Sequence, residues 1–120
     1  MNKKKIPIFS IVIPTYNHAI FLKRALKSII DQSFKNWEAI IIDNYSTDST
    51  QEVVMDFNDP RIKYLKVHNK GIIAISRNIG IQNAKADWIA FLDSDDWWTS
   101  NKLEVCLINL MRISTLFIIE

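Results

Sequence analysis

Short apolar stretches alternate along this chain with longer stretches in which apolar residues recur at every third or fourth position. Four short stretches are rich in β-branched and aromatic residues, which favour strands, and they occupy residues 8–13, 37–43, 62–65 and 88–92. Pro14 is predicted to end the first strand, and the third is predicted to lie at an edge of the sheet. The fourth is almost entirely apolar, which predicts a fully buried strand of a parallel sheet.

The longer stretches predict helices. The first is predicted to be capped by Asn17, and its apolar stripe comprises Phe21, Leu22, Ala25, Leu26, Ile29 and Ile30. A second, short helix follows Ser49, which with Glu52 fits a capping box. A third covers residues 75–84 after a loop opened by Gly71. The last is predicted to be capped within residues 99–101, and its stripe comprises Leu103, Leu107, Leu110 and Met111.

The order of these elements predicts an α/β fold. Strands that alternate with helices form a Rossmann-like, open, mainly parallel sheet with helices on both faces. Right-handed crossovers then bring the carboxyl ends of all the strands to one edge. Three polar clusters follow strands and are expected at that edge: residues 14–17, 43–44 and 93–95.

Composition and charge narrow the class of protein. The chain has 120 residues, which we interpret as one domain over residues 1–120, and it is 48% hydrophobic and 23% charged. The net charge is only +2, so nucleic acid is not an expected partner. Cys106 is the single cysteine, which excludes an intrachain disulfide and fits a reduced, cytoplasmic setting. Residues 3–5 are lysines, but prolines and a strand follow them, which does not fit a signal peptide.

The acids that follow the fourth strand are the strongest candidate for chemistry. Asp93 and Asp95 are separated only by Ser94, so two hard oxygen ligands can converge on one divalent cation. Such a cation could bind a diphosphate. An EF-hand is excluded, because Trp97 occupies a ligand position of that loop and Trp98 the position of its glycine.

Other residues keep two interpretations. Asp43 is either a helix cap or a ligand-binding acid, and Arg77 either pairs with phosphate oxygens or lies on the surface. The pair 97–98 either stacks on a sugar or closes the core. No Gly-x-Gly-x-x-Gly motif and no Walker loop occur in the sequence. His18 and His68 lack metal-ligand spacing and are predicted to be surface residues.

The chain resembles the family 2 glycosyltransferases, which have the nucleotide-diphospho-sugar transferase (GT-A) fold. The resemblance extends over nearly the whole chain and rests on five motifs in the order and spacing of that family. They are FSIVIPTYN (residues 9–17), SIIDQS (28–33), IDNYSTD (42–48), SRNIGI (76–81) and FLDSDD (91–96), followed by KL at 102–103.

The resemblance implies roles at the matching positions. Pro14, Thr15 and Tyr16 would line the base and ribose pocket. Asp43 would accept a hydrogen bond from the base, most naturally uracil, and Arg77 would lie near the nucleotide. Asp93, with Ser94, would contact the ribose side, and Asp95, with Asp93, would hold Mn²⁺ or Mg²⁺ against the diphosphate as a DXD motif. Asn44 departs from the family, which usually has a second acid there, and Ala86 stands where glycine is common.

The resemblance also implies a donor-binding half without its partner. In this family a second half binds the acceptor and supplies the general base. No motif in this sequence matches that base, so no catalytic residue is identified. The isolated chain is therefore expected to be inactive. The complete enzyme would transfer sugar from a UDP-sugar to a saccharide or lipid-linked acceptor in bacterial surface polysaccharide synthesis. The alternative is a truncated, non-catalytic nucleotide-binding or interaction module.

The carboxyl-terminal residues suggest a further expectation. The apolar tail over residues 113–119 is too short to span a bilayer and resembles a severed element. An apolar face formed by Leu107, Leu110, Leu116, Phe117 and Ile118 is expected to promote self-association. The expected location is the cytoplasm, with peripheral attachment to the inner face of the cell membrane as an alternative.

Overall fold

Strands and helices alternate strictly in the structure, a computed structural model that describes residues 6–119 and the side chains as far as residue 113. The elements are β1 (Phe9–Thr15), α1 (Ala19–Ile30), β2 (Trp37–Asp43), α2 (Thr50–Asp56), β3 (Ile62–Lys66), α3 (Ile73–Asn83), β4 (Trp88–Phe91) and α4 (Lys102–Ile119). The predicted order of elements is confirmed.

The four strands form one parallel sheet in the order β3-β2-β1-β4. Ile11 in β1 pairs with Ala39 in β2 and with Ala90 in β4, and β3 lies at the edge beyond β2, as predicted. All four carboxyl ends therefore point the same way, and the loops that follow them share one edge.

The prediction that β4 is fully buried is wrong. β4 lies at the second edge of the sheet, with β1 on one side and no strand on the other among residues 6–119. Trp88 is 49% exposed and Phe91 is 46% exposed, whereas Ala90 packs against the core. An apolar sequence cannot by itself distinguish a central strand from an edge strand whose side chains are only partly covered.

Helices cover both faces of the sheet, as predicted. One face packs against α1, α2 and α4, and its core comprises Phe9, Ile11, Ile13, Trp37, Ala39 and Ile41 from the sheet with Leu22, Leu26, Ile29, Val54 and Leu103 from the helices. On the other face α3 packs closely on Val12: a Cβ atom added at Gly80 would lie 2.4 Å from Val12 Cγ1. Glycine at position 80 therefore allows α3 to approach the sheet.

β1 continues through Pro14 to Thr15, so the prediction that Pro14 ends this strand is wrong. The carbonyl of Val12, two residues earlier, accepts from Leu92 N at 3.2 Å. Because alternate residues of a strand face the same neighbour, the N–H that proline lacks would point to the β4 side. The β1–β4 ladder has already ended there with Phe91 opposite Val12, so no ladder hydrogen bond is lost.

Asp48, rather than the predicted residues, serves the starts of both α1 and α2. Its carboxylate accepts from Ala19 N at 3.1 Å and from Thr50 N at 3.0 Å. Asn17 has a left-handed backbone (φ 50°), and its Oδ1 accepts from Thr47 N instead of capping α1. Ser49 precedes α2 but makes no side-chain capping bond, so the predicted capping box is also wrong.

In α4 the predicted stripe is partly confirmed. Leu103 is buried and its N–H donates to Gln32 Oε1 of the α1–β2 loop at 3.0 Å, whereas Met111 is 61% exposed, contrary to prediction. Leu107 and Leu110 are half-buried against the core. The side chains of Leu116, Phe117 and Ile118 lie outside the described residues, so the self-association face stays a prediction. Within the described residues, no helix is both long enough and apolar enough to cross a membrane.

Candidate functional site

A cavity of about 450 Å³ opens at the carboxyl ends of β1 and β4. It is lined by Pro14, Thr15, Tyr16, His18, Asn69, Ile73, Arg77, Asp93, Ser94 and Asp95. The fold thus brings all the residues predicted for the site into one cavity, with the exception of Asp43.

Two polar atoms of the cavity residues lack a partner. Among the described residues, the buried side-chain atoms without a hydrogen bond are Thr15 Oγ1, Arg77 Nε and Trp37 Nε1, and the first two belong to this cavity. Buried polar groups in proteins are almost always hydrogen-bonded, because leaving one unpaired costs free energy. An acceptor beside Arg77 and a hydrogen-bonding group beside Thr15 would satisfy both atoms.

Arg77 places a positive charge beside the acids that follow β4. It lies on α3, and its Nη2 is 3.4 Å from Asp93 Oδ1, while the guanidinium carbon lies 5.7 Å from the centre of the Phe91 ring. Both charged side chains are partly exposed, so the ion pair is screened and can exchange partners at low cost. The guanidinium is thus available to the oxygens of an anionic ligand.

The carboxylates of Asp93 and Asp95 are exposed at the mouth of the cavity. The Asp93 side chain is 64% exposed, and a turn in which Asp96 N donates to Asp93 O at 3.0 Å follows β4. No group of three or more His, Cys, Asp or Glu side chains able to hold a metal occurs among the described residues. Two carboxylates nevertheless suit Mg²⁺, which is commonly bound through one or two carboxylates, substrate phosphates and water.

Asp43 does not line this cavity, although it pairs with Thr15 across the sheet, and it is fully buried. Its Oδ1 accepts from Ser46 N at 3.0 Å and from Ser46 Oγ at 2.5 Å, and its Oδ2 accepts from the Tyr64 hydroxyl. Burial, together with the hydrogen bond to Asp43, raises the pKa of Tyr64 well above its ordinary value. The helix-cap interpretation of Asp43 is wrong, because the carboxylate bonds to Ser46 in the loop before α2 begins at Thr50. Its role toward a base stays a prediction.

Residues 10–115 match the family model described as Glycosyl transferase family 2. The chain belongs to this family. The match confirms the resemblance inferred from the five motifs.

Several family 2 glycosyltransferases are similar to this chain in sequence. TuaG of Bacillus subtilis, whose name assigns it provisionally to teichuronic acid biosynthesis, is 35% identical over 92% of this chain and 45% of its own length. The Escherichia coli enzyme WfgD, named as a UDP-Glc:α-D-GlcNAc-diphosphoundecaprenol β-1,3-glucosyltransferase, is 36% identical over 88% of this chain and 42% of its own. The chain therefore spans less than half the length of these relatives.

A solved structure shows the same fold. Staphylococcus aureus TarS (residues 1–349), crystallised in complex with UDP, superposes with a TM-score of 0.79 at 29% identity, over 83% of this chain and 31% of that one. The predicted GT-A, Rossmann-like class is thereby confirmed.

The sequence interpretation of this glycosyltransferase family member missed three cavity residues: His18, Asn69 and Ile73. The prediction that His18 is a surface residue is wrong: it is half-buried, and its Nδ1 lies 2.8 Å from Ser94 Oγ. Because it directly follows the 9–17 motif, the sequence could have indicated that it lies near the site. His68, in contrast, is exposed as predicted and stacks on Tyr45 with ring centres 3.9 Å apart.

Asn69 belongs to a turn that the sequence could have indicated. Its Oδ1 accepts from Gly71 N at 2.8 Å, and Lys70 and Gly71 both have positive φ (54° and 76°), so glycine at position 71 suits the turn. Trp97 and Trp98 do not line the cavity: Trp97 is 51% exposed and Trp98 packs against the core. Of the two interpretations of this pair, core packing fits Trp98.

Proposed function

We propose that this chain binds the nucleotide-diphosphate sugar, most naturally a UDP-sugar, of a family 2 glycosyltransferase. The observation that supports this most directly is a single cavity lined by an arginine, a buried unpaired hydroxyl and two exposed carboxylates. TarS, which has the same fold, was crystallised with UDP and with UDP-GlcNAc. The volume of the cavity, about 450 Å³, falls within the range of small-molecule sites.

Five cavity residues have a defined part in this proposal. Arg77 pairs with phosphate oxygens and brings its unpaired Nε into a hydrogen bond. Thr15 Oγ1 bonds to the ribose or the base, and the exposed Tyr16 ring lies against the base. Asp95, with Asp93, would hold Mn²⁺ or Mg²⁺, which supplies Lewis-acid stabilisation of the diphosphate leaving group.

The complete protein is proposed to transfer the sugar to a saccharide or lipid-linked acceptor in bacterial surface polysaccharide synthesis. The names of TuaG and WfgD support this assignment. Because both cavity carboxylates are assigned to a cation, we place the general base that activates the acceptor outside this cavity. We also propose that residues 1–120 alone bind the donor without transferring sugar. A base contributes roughly 10²–10⁴-fold to such a reaction. A cytoplasmic location, with or without attachment to the membrane, is part of the same proposal.

Replacement of Asp95 by asparagine tests the function. The substitution keeps the size of the side chain but removes the charge that favours a hard cation. We expect calorimetry with UDP and Mn²⁺ to show an affinity at least tenfold lower for Asp95→Asn, with little change when metal is omitted. Asp87→Asn is the matched control, because Asp87 is an exposed acid that precedes the same strand at its opposite end.

Two results would refute the proposal. If the parent chain binds neither UDP nor UDP-sugars, the cavity is not a donor site. If Asp95→Asn and Asp87→Asn bind UDP with Mn²⁺ as tightly as the parent, the acids after β4 do not hold a metal, and the cation assignment fails.

A further inference from the structure

The turn that presents Asp93 and Asp95 is held by α1 rather than by its own strand. Leu92 is buried, and its N–H donates to Val12 O at 3.2 Å, which is the last backbone bond between β1 and this segment. Beyond it both carboxylates are exposed, and Asp93 forms a 3.4 Å ion pair with Arg77. A pair of exposed carboxylates needs further contacts if its geometry is to be fixed before a cation binds.

Ser94 supplies one such contact. It lies between the two exposed acids but is only 5% exposed, so its side chain points into the protein. Its Oγ lies 2.8 Å from His18 Nδ1, where the hydroxyl can donate to the unprotonated nitrogen or accept from the protonated one. A buried hydroxyl without this partner would be unsatisfied, so the bond favours one orientation of the turn.

His18 is itself well anchored. It directly precedes α1, its carbonyl accepts from Leu22 N at 2.7 Å, and its ring packs edge-on against Phe21 with ring centres 5.7 Å apart. The ring therefore has a fixed position from which to orient Ser94.

Arg24, six residues further along the chain and within α1, supplies the second contact. Its Nη2 donates to the backbone carbonyl of Asp95 at 3.1 Å. Consecutive residues of the turn, Ser94 and Asp95, are thus bonded to two side chains of the same helix segment, one through a side chain and one through the backbone.

We propose that His18 is a positioning residue for the carboxylates of Asp93 and Asp95, acting through Ser94 and assisted by Arg24. The inference rests on the proposed function, because it concerns the cation that those carboxylates would hold with a nucleoside diphosphate. Residues that orient metal ligands typically contribute about 10–100-fold to metal affinity.

The test compares UDP binding with and without Mn²⁺ by calorimetry on the 120-residue chain. We expect His18→Ala to reduce the metal-dependent gain in UDP affinity about tenfold, in addition to any loss of metal-free UDP affinity from its place in the cavity lining. His18→Asn, whose side-chain amide can place a polar atom near the position of Nδ1, should recover most of the gain. Ser94→Ala should match His18→Ala, and the double variant should be no worse than either, because both remove the same bond.

Amide hydrogen exchange gives a readout without any ligand. The N–H of Asp96, which donates to Asp93 O across the turn, should exchange faster in His18→Ala than in the parent, while amides in the centre of β2 are unchanged.

Three results would overturn the inference. In the first, His18→Ala leaves the UDP affinities with and without metal both unchanged. In the second, His18→Ala lowers the affinities with and without metal by the same factor, which would mark a general structural role. In the third, the parent shows no metal-dependent gain; that result removes the proposed cation site as well, whereas the first two leave the proposed function intact.

Discussion

Substitutions of Asp43 can separate a structural role from a role in selecting the base. The carboxylate is fully buried and accepts three hydrogen bonds, two from Ser46 and one from the Tyr64 hydroxyl. Asp43→Ala would leave all three donors without this acceptor. Ser46 and Tyr64 are only partly buried, so water can satisfy some of these donors. At about 1–3 kcal/mol for each group left unsatisfied, the loss in free energy of unfolding is expected to be about 3 kcal/mol. That is a large share of the roughly 5–15 kcal/mol available to a domain.

Asp43→Asn is therefore the more informative variant. Its carbonyl oxygen can keep both bonds from Ser46, while its amide replaces the oxygen that accepts from Tyr64, whose hydroxyl can rotate to accept instead. We expect a loss of about 1–3 kcal/mol, because charge-assisted bonds become neutral ones. Tyr64→Phe removes only the third bond and should cost a similar or smaller amount.

Base selection is measured in the same variants as the ratio of UDP to CDP affinity. Oδ2 accepts one hydrogen bond in the structure and so keeps capacity for a second. A carboxylate oxygen can accept from N3–H of uracil, whereas cytosine carries no proton on N3. Asp43→Asn should shrink the preference for UDP, and Tyr64→Phe, the control, should leave it unchanged. If Asp43→Asn lowers stability but keeps the preference of the parent, Asp43 acts only in the structure of the loop. If the unfolding free energies of both variants equal that of the parent, our account of the buried hydrogen bonds is wrong.

Two further predictions concern the fold. Burial alone would raise the pKa of Glu38, but hydrogen bonds from Lys63, Ser10 and the Lys85 backbone outweigh it and hold the pKa below its ordinary value. A pKa that is lower in the folded state stabilises the protein at pH values above the unfolded-state pKa, and this stabilisation is lost as the pH falls through the folded-state pKa. Glu38→Gln should therefore flatten the decline of the unfolding free energy with falling pH. An equally steep decline in the variant would contradict this assignment. Gly80→Ala should cost about 1–3 kcal/mol of overpacking against a helix-propensity gain of about 1 kcal/mol. Val12→Ala should relieve that cost in the double variant, and purely additive unfolding free energies would show that no clash occurs.

The pattern of apolar residues predicted the types of all eight elements, most directly in α1, whose buried Leu22, Leu26 and Ile29 form one stripe. In α3, by contrast, the buried residues are Ser76 and Gly80. β2 was predicted with its observed bounds, since its residues are buried on both faces and end in an acid. β4 was misplaced because its apolar composition is compatible with an edge as well as with the centre of a sheet. The burial of a strand depends on what packs on each side of it, and the residues of the strand do not encode that.

Helix starts were harder to predict because several residues can satisfy the same backbone groups. Asn17, Asp48 and Ser49 are all suitable capping residues, and the choice among them depends on contacts between two different loops. Asp48 can serve Ala19 as well as Thr50 only because the fold places the starts of α1 and α2 side by side. Burial alone would raise its pKa, but the hydrogen bonds from Thr50 and Ala19 outweigh this effect and lower it.

The position of a candidate-site residue was predicted well where a motif near a strand end supplies it directly. It was predicted less well where contacts between loops determine which side chains meet. Arg77 and the acids after β4 follow from the motifs and from the rule that parallel strands end at one edge. The bond between His18 and Ser94 joins residues 76 positions apart, and no local pattern predicts it. Asp43 was expected beside the other site residues, but its own loop and a tyrosine of the neighbouring strand bind its oxygens first.

Hydrogen bonds between the loops at this edge of the sheet join the separate parts of the site. Asn17 N donates to Ser46 Oγ at 2.8 Å, and the Ser46 hydroxyl in turn donates to Asp43. The next residue, His18, bonds to Ser94 beside the proposed cation ligands. The loop after β1 therefore contacts both the loop that would contact the base and the turn that would hold the metal. The two sets of bonds are joined through the backbone of the neighbouring residues Asn17 and His18, and sites coupled through a backbone shift do not contribute additively. Asp43→Asn combined with His18→Ala should therefore show a coupling free energy of about 0.5 kcal/mol or more in metal-dependent UDP binding. Additive effects would mean that the two ends of the site respond independently despite the bonds that connect their loops.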